Sequence, residues 1–169
     1  HDALPIWIAL FIIAMSFALL SLNVHAQGQS AINQTVSELI NKYQSTEGIN
    51  SINLKKGEGL GIAKLAMRKH FGSKFLRGIE QIAIIEYSSA PSNIADELNS
   101  EIATRFAKMP LQKEQNDPEK GQTVRMMANS DGSDDKISDI IFVIESDKNR
   151  CLVYLHGAID KESFEDLSD

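Results

Sequence analysis

Apolar positions along the chain recur with two different periods. Ile32, Val36, Leu39, Ile40 and Tyr43 follow helical spacing, and Gly48 stands as a stop, which predicts an amphipathic helix over 30–46. After a short extended stretch around Ile52 and Leu54, good helix formers predict a second helix over 60–70, closed by Gly72. Ile82, Ala83, Ile84 and Ile85 then run together, as in an interior strand with both faces covered. The clearest helix begins at Ser92, a good N-cap, and repeats Ile94, Leu98, Ile102, Phe106 and Met109 before Pro110, with Asp96 and Glu97 near its positive end.

Downstream, the pattern changes to strands separated by turn residues. A short strand over 111–115, then QTVRMMA, KISDIIFVIES and RCLVYLHGAI, are parted by DPEKG, NSDGSDD and DKN, which predicts an antiparallel meander. Asp160 is a suitable N-cap for a terminal helix, with Ile159 and Phe164 placed as a hydrophobic staple. The expected fold is α+β: a two-layer domain with a mainly antiparallel sheet, the C-terminal meander, covered by helices on one face.

The first 26 residues stand apart. Pro5 to Val24 carries no charge, and Val24-His25-Ala26 reads as a signal-peptidase site, so residues 1–26 are expected to be a signal peptide cleaved after Ala26. The alternative is an uncleaved inner-membrane anchor, since the run approaches the length that spans a bilayer. No cysteine near the cleavage point offers a lipid acceptor. Residues 27–169 are expected to form one domain, periplasmic or secreted, with its mature form free of the membrane.

Charge and chemistry narrow the functions. With 23 acids against 17 bases and a net charge of −6, there is no basic run to line up phosphates, so nucleic acid is not an expected partner. Cys151 is alone, which excludes an intramolecular disulfide, and its apolar neighbours point to a buried, inert thiol. Gly57, Gly59 and Gly61 precede a helix but lack the Gly-Lys-Ser/Thr of a phosphate loop, and read as a flexible lead into that helix. The loop Asn129 to Asp135 is rich in oxygen ligands. Set in calcium-loop register by Gly132, however, it places Met127 at the first ligand position and Ser138 at the last, so a hairpin loop fits better.

His70 and His156 lack metal-ligand company and read as structural. Ser73, Ser88 and Ser133 sit in ordinary turns rather than a nucleophile elbow. Glu97 and Glu101 read as solvated charge one helical turn apart. No catalytic, cofactor-binding or metal-ligating residue is assigned.

The segment GQTVRMMANSDGSDDKISDIIFVIESDKNRCLVYLHGAID resembles a family of small exported gram-negative bacterial proteins known as domain of unknown function 4252. The order of elements carries the resemblance: a strand with an arginine, a loop into Lys136-Ile137-Ser138-Asp139, an apolar strand, a polar turn, then Cys151 to Asp160. It extends over 122–167. What it implies is an exported α+β domain, without catalytic residues to carry across. The expected function is a binding or interaction module of the cell envelope, with an envelope protein or peptide as partner, for instance a peptide added at the meander's outer strand. The alternative is an envelope-acting hydrolytic enzyme, for which His156, Arg125, Lys136 and the acidic loop are the first residues to locate.

Overall fold

A computed structural model describes residues 31–57, 59–68, 71–130 and 135–168, with side chains through Glu165. Residues 1–30, which include the expected signal peptide, His70 and loop residues 131–134 lie outside the described residues. Helix α1 (Ala31–Tyr43) is followed by β1 (Asn50–Lys55), α2 (Leu60–Met67), α3 (Ser73–Arg77), β2 (Ile79–Glu86) and α4 (Ser92–Arg105). Strands β3 (Leu111–Asp117), β4 (Gln122–Ser130), β5 (Lys136–Glu145) and β6 (Arg150–Asp160) then form the meander, and α5 (Lys161–Ser168) ends the chain. All six strands join one sheet in the order β1-β2-β6-β5-β4-β3, and every pairing is antiparallel.

The α+β class and the antiparallel meander are as the sequence predicts, whereas the layering differs. Successive side chains of β2, β5 and β6 alternate between two separate apolar clusters. On one face Ile82, Ile84, Phe142, Val153 and Leu155 pack with Leu60 and Met67 of α2, Phe75 of α3 and Phe164 of α5. On the other, Ala83, Ile85, Ile141, Val143, Leu152 and Tyr154 pack with Val36 and Leu39 of α1 and with Leu98 and Ile102 of α4. Helices thus cover both faces, correcting the one-face arrangement. A strand in which every residue is apolar has no face to give to water.

Local differences follow from short-range chemistry. The second predicted helix stops at Met67, and Gly72, expected to close it, instead begins the separate helix α3. Ser92 is the first helical residue rather than the cap, a position taken by Pro91. Asp160 does cap α5: its Oδ2 accepts from the Ser163 N–H at 2.9 Å and from the Ser163 hydroxyl at 3.0 Å. Where β2 shifts register between Ile79 and Gln81, two backbones meet so closely that a Cβ at Gly157 would lie 2.0 Å from the Gly78 carbonyl oxygen. Only glycine fits that crossing.

Candidate functional site

Two places on the second face, the one that carries α1 and α4, hold the polar and open features of the fold. The first is a row of polar side chains across one end of the sheet. Gln81, His156, Asp139 and Asn129 are successive partners on β2, β6, β5 and β4. Asn33 of α1 donates to Gln81 Oε1 at 2.6 Å, and Gln81 passes a hydrogen bond to Asn53 Oδ1 at 2.7 Å. Asn33, Gln81 and Asp139 are all buried, so these bonds offset the loss of water and fix α1 on the sheet.

At the centre of the row Asp139 collects three partners. Its Oδ1 accepts from the Tyr154 hydroxyl at 2.5 Å and lies 3.1 Å from His156 Nδ1, while Oδ2 accepts from the Ser138 hydroxyl at 2.8 Å. Burial alone would raise the Asp139 pKa, but the hydrogen bonds from His156, Tyr154 and Ser138 outweigh it and hold the carboxyl below its usual value. The hydrogen bond to Asp139 raises the His156 pKa against the opposing effect of burial. The pair is therefore biased toward aspartate and imidazolium.

The second place is the free margin of the sheet. Past the end of α4 an open groove of about 240 Å³ is lined by Ile102, Phe106 and Met109 on one side and by Leu111, Glu114, Arg125 and Met127 on the other. Strand β3 ends the sheet order, so its outer backbone pairs with no other strand among the described residues. Leu111 is 55% exposed at the groove.

Of the residues singled out for an enzyme, His156, Arg125 and Lys136 are not brought together, and the loop acids Asp131 and Asp134 lie outside the described residues. Asp139 meets His156, but Arg125 lies four residues from Asn129 along β4, roughly 13 Å away at the rise of a strand, and lines the groove. Lys136 opens β5 opposite Asp160. Ser88 is structural: its Oγ accepts from the Arg150 N–H at 2.8 Å, tying the exit of β2 to the start of β6. Glu97 and Glu101 are not merely solvated. They converge on Lys42, at 3.3 and 2.7 Å, and on the Tyr43 hydroxyl, clasping α4 to α1.

No family model, curated protein or solved structure matches this chain. Function therefore rests on the geometry. Among the described residues no helix is long and apolar enough to cross a membrane, and no three acidic, histidine or cysteine side chains gather as a metal site.

Cys151 is buried, and burial pushes its thiol pKa up. Thiol reagents are expected to label it only as fast as the protein opens, with full labelling in denaturant, which time-resolved labelling in the two solvents checks.

Sequence reasoning missed Asp139, yet a signal for it exists. On β5 it occupies the same face as Ile141 and Val143, and an acid in step with buried positions requires partners supplied from elsewhere.

Proposed function

We propose that the protein is an exported binding module of the cell envelope, periplasmic or secreted, that takes an extended peptide as a seventh strand on β3. The observation that carries this reading is the open β3 edge beside an apolar groove. A peptide strand added there gains main-chain hydrogen bonds. Its alternate side chains point to the groove face, where Phe106, Met109 and Leu111 receive an apolar residue. The uncharged leader and the resemblance over 122–167 to an exported family support the compartment.

The hydrolytic alternative draws less support. The hydroxyls of Tyr154 and Ser138 both donate to Asp139, and the bias of His156 toward its charged form is the opposite of what a general base needs.

Heptapeptides selected from a displayed library test the reading by amide NMR of the labelled protein. Binding is expected to shift and protect the amides of Leu111 to Asp117, and Leu111→Asp to weaken it about tenfold, the equivalent of one lost apolar contact. Shifts centred on β1 or on the Asp139 cluster would refute the β3 site.

A further inference from the structure

The molecule is acidic, but its charge is unevenly placed. Seven of the 17 Lys and Arg residues fall within residues 51–77, against one of the 23 acids, Glu58. Of the cations in described positions, Lys56, Lys64 and Arg68 follow β1 or lie on and just after α2, whereas Lys74 and Arg77 belong to α3, which packs on β2 and β6 and where Lys74 pairs with Asp160.

Helix α2 also exposes apolar side chains. Its inner positions Leu60, Ala63 and Met67 are buried, whereas Ile62 and Leu65, three residues apart on the outer side, are 61% and 63% exposed. Arg68 continues that row one step further and is exposed, as is Lys56 at the end of β1; Lys64 stands half-buried beside Leu65. Burial lowers the Lys64 pKa, Glu80 opposes that shift, and Lys56 adds to it, so the two lysines are close enough to repel. Glu80 already offsets the repulsion that Lys64 feels from Lys56, so anionic charge brought to this face is attracted chiefly by the exposed Lys56 and Arg68.

An exposed apolar pair with Lys64 and Arg68 on the same short helix segment and Lys56 near Lys64 selects among partners. A second copy would bring like charges together at this face. A nucleic-acid backbone would leave Ile62 and Leu65 facing phosphates with nothing apolar to cover them. A layer with anionic headgroups outside and hydrocarbon beneath satisfies both kinds of group at once.

We propose that the outer face of α2 docks peripherally on an anionic lipid surface, with Ile62 and Leu65 entering the boundary between headgroups and acyl chains while Lys56, Lys64 and Arg68 meet headgroup phosphates. This docking is independent of peptide binding. β1 and β3 are the two ends of the sheet order, five strand spacings or about 24 Å apart, so a docked molecule keeps its β3 edge away from the bilayer.

Because residues 5–24 carry no charge and can partition into any bilayer, the test reads one residue rather than bulk sedimentation. An environment-sensitive NBD label is placed on the full-length chain at Leu65→Cys, with Cys151 buried, and separately at Glu119→Cys in the exposed turn after β3. On phosphatidylcholine vesicles containing phosphatidylglycerol, the label at 65 is expected to brighten and shift to the blue, reversibly with salt. On phosphatidylcholine alone it stays as in water. The label at 119 stays as in water on both. Neutralising Lys56, Lys64 or Arg68 to Gln is expected to weaken the response roughly fivefold for each charge removed. The proposal is overturned by an equal response on both vesicle types, by no response on either, or by a response to protein concentration without vesicles, which would make the face a contact between copies.

Discussion

An Asp139→Ala protein is expected to lose about 3–5 kcal/mol of folding stability, read from the shift of a urea transition at pH 6. The loss arises from what the substitution leaves behind. The carboxylate is buried and holds the Tyr154 hydroxyl, the Ser138 hydroxyl and the His156 ring, so its removal strands the fully buried Tyr154 hydroxyl and takes the shared acceptor from the half-buried Ser138 and His156. Tyr154→Phe removes a single hydroxyl from the same cluster and is expected to cost only about 1 kcal/mol. A large difference between the two variants identifies Asp139 as the hub, whereas similar costs would show that the Tyr154–Asp139 hydrogen bond alone accounts for the contribution of the cluster.

The same pair sets a pH dependence with a definite sign. The folded pKa of His156 is raised, so its contribution is complete below the ordinary histidine value of 6.5 and is lost as pH rises through the folded value. The folded pKa of Asp139 is lowered, so its contribution is complete above the ordinary value of 3.8 and is lost as pH falls through the folded value. The dyad therefore stabilises most between those two values. In the Asp139→Ala protein this part of the stability profile is expected to flatten. A wild-type profile unchanged by the substitution would show that the pair is not ionised in the folded state.

Much of the fold was legible because local pattern and tertiary environment agree. Helices α1 and α4 each keep one apolar stripe, and Gly48 and Pro110 mark where those stripes end. The meander was readable from turn residues between apolar runs. Helix α3 was not: five residues between Gly72 and Gly78, with Phe75 and Leu76 as their only buried members, are too few to show a period. The layering was misread although its sign was present, since Ile82 to Ile85 and Ile140 to Ile144 leave no polar face in either strand. Reading β2 as covered on both sides required helices on both sides of the whole sheet.

The polar row was illegible for a different reason. Asn33 and Gln81 are 48 residues apart, and Asp139 and His156 are 17 apart, so the hydrogen bonds exist only once strand order is known. The basic α2 face had an intermediate status. Its charge asymmetry is visible along the chain, but which of Leu60, Ile62, Ala63, Leu65 and Met67 face outward depends on how α2 is rotated against the sheet.

The two-sided core can be measured directly through Leu98. It is fully buried on α4 and packs only into the second cluster, so Leu98→Ala is expected to destabilise the protein by about 2–5 kcal/mol, from lost transfer energy and the cavity left behind. Ile84, equally buried, belongs to the opposite cluster, and Ile84→Val removes one methylene at about 0.5–1.5 kcal/mol. The sheet lies between the two sites and they share no packing cluster, so the double variant is expected to show the sum of the two losses within roughly 0.5 kcal/mol. The neighbouring substitution Ile85→Val provides the contrast. Although adjacent to Ile84 in sequence, Ile85 points into the cluster that contains Leu98, and its loss can couple to the Leu98 cavity by about 0.5 kcal/mol or more. Equilibrium urea unfolding of the five proteins and wild type distinguishes the cases. Additivity for Ile84 with coupling for Ile85 is the signature of two cores divided by one sheet, whereas equal coupling for both would mean that the sheet transmits the cavity and that the clusters act as one.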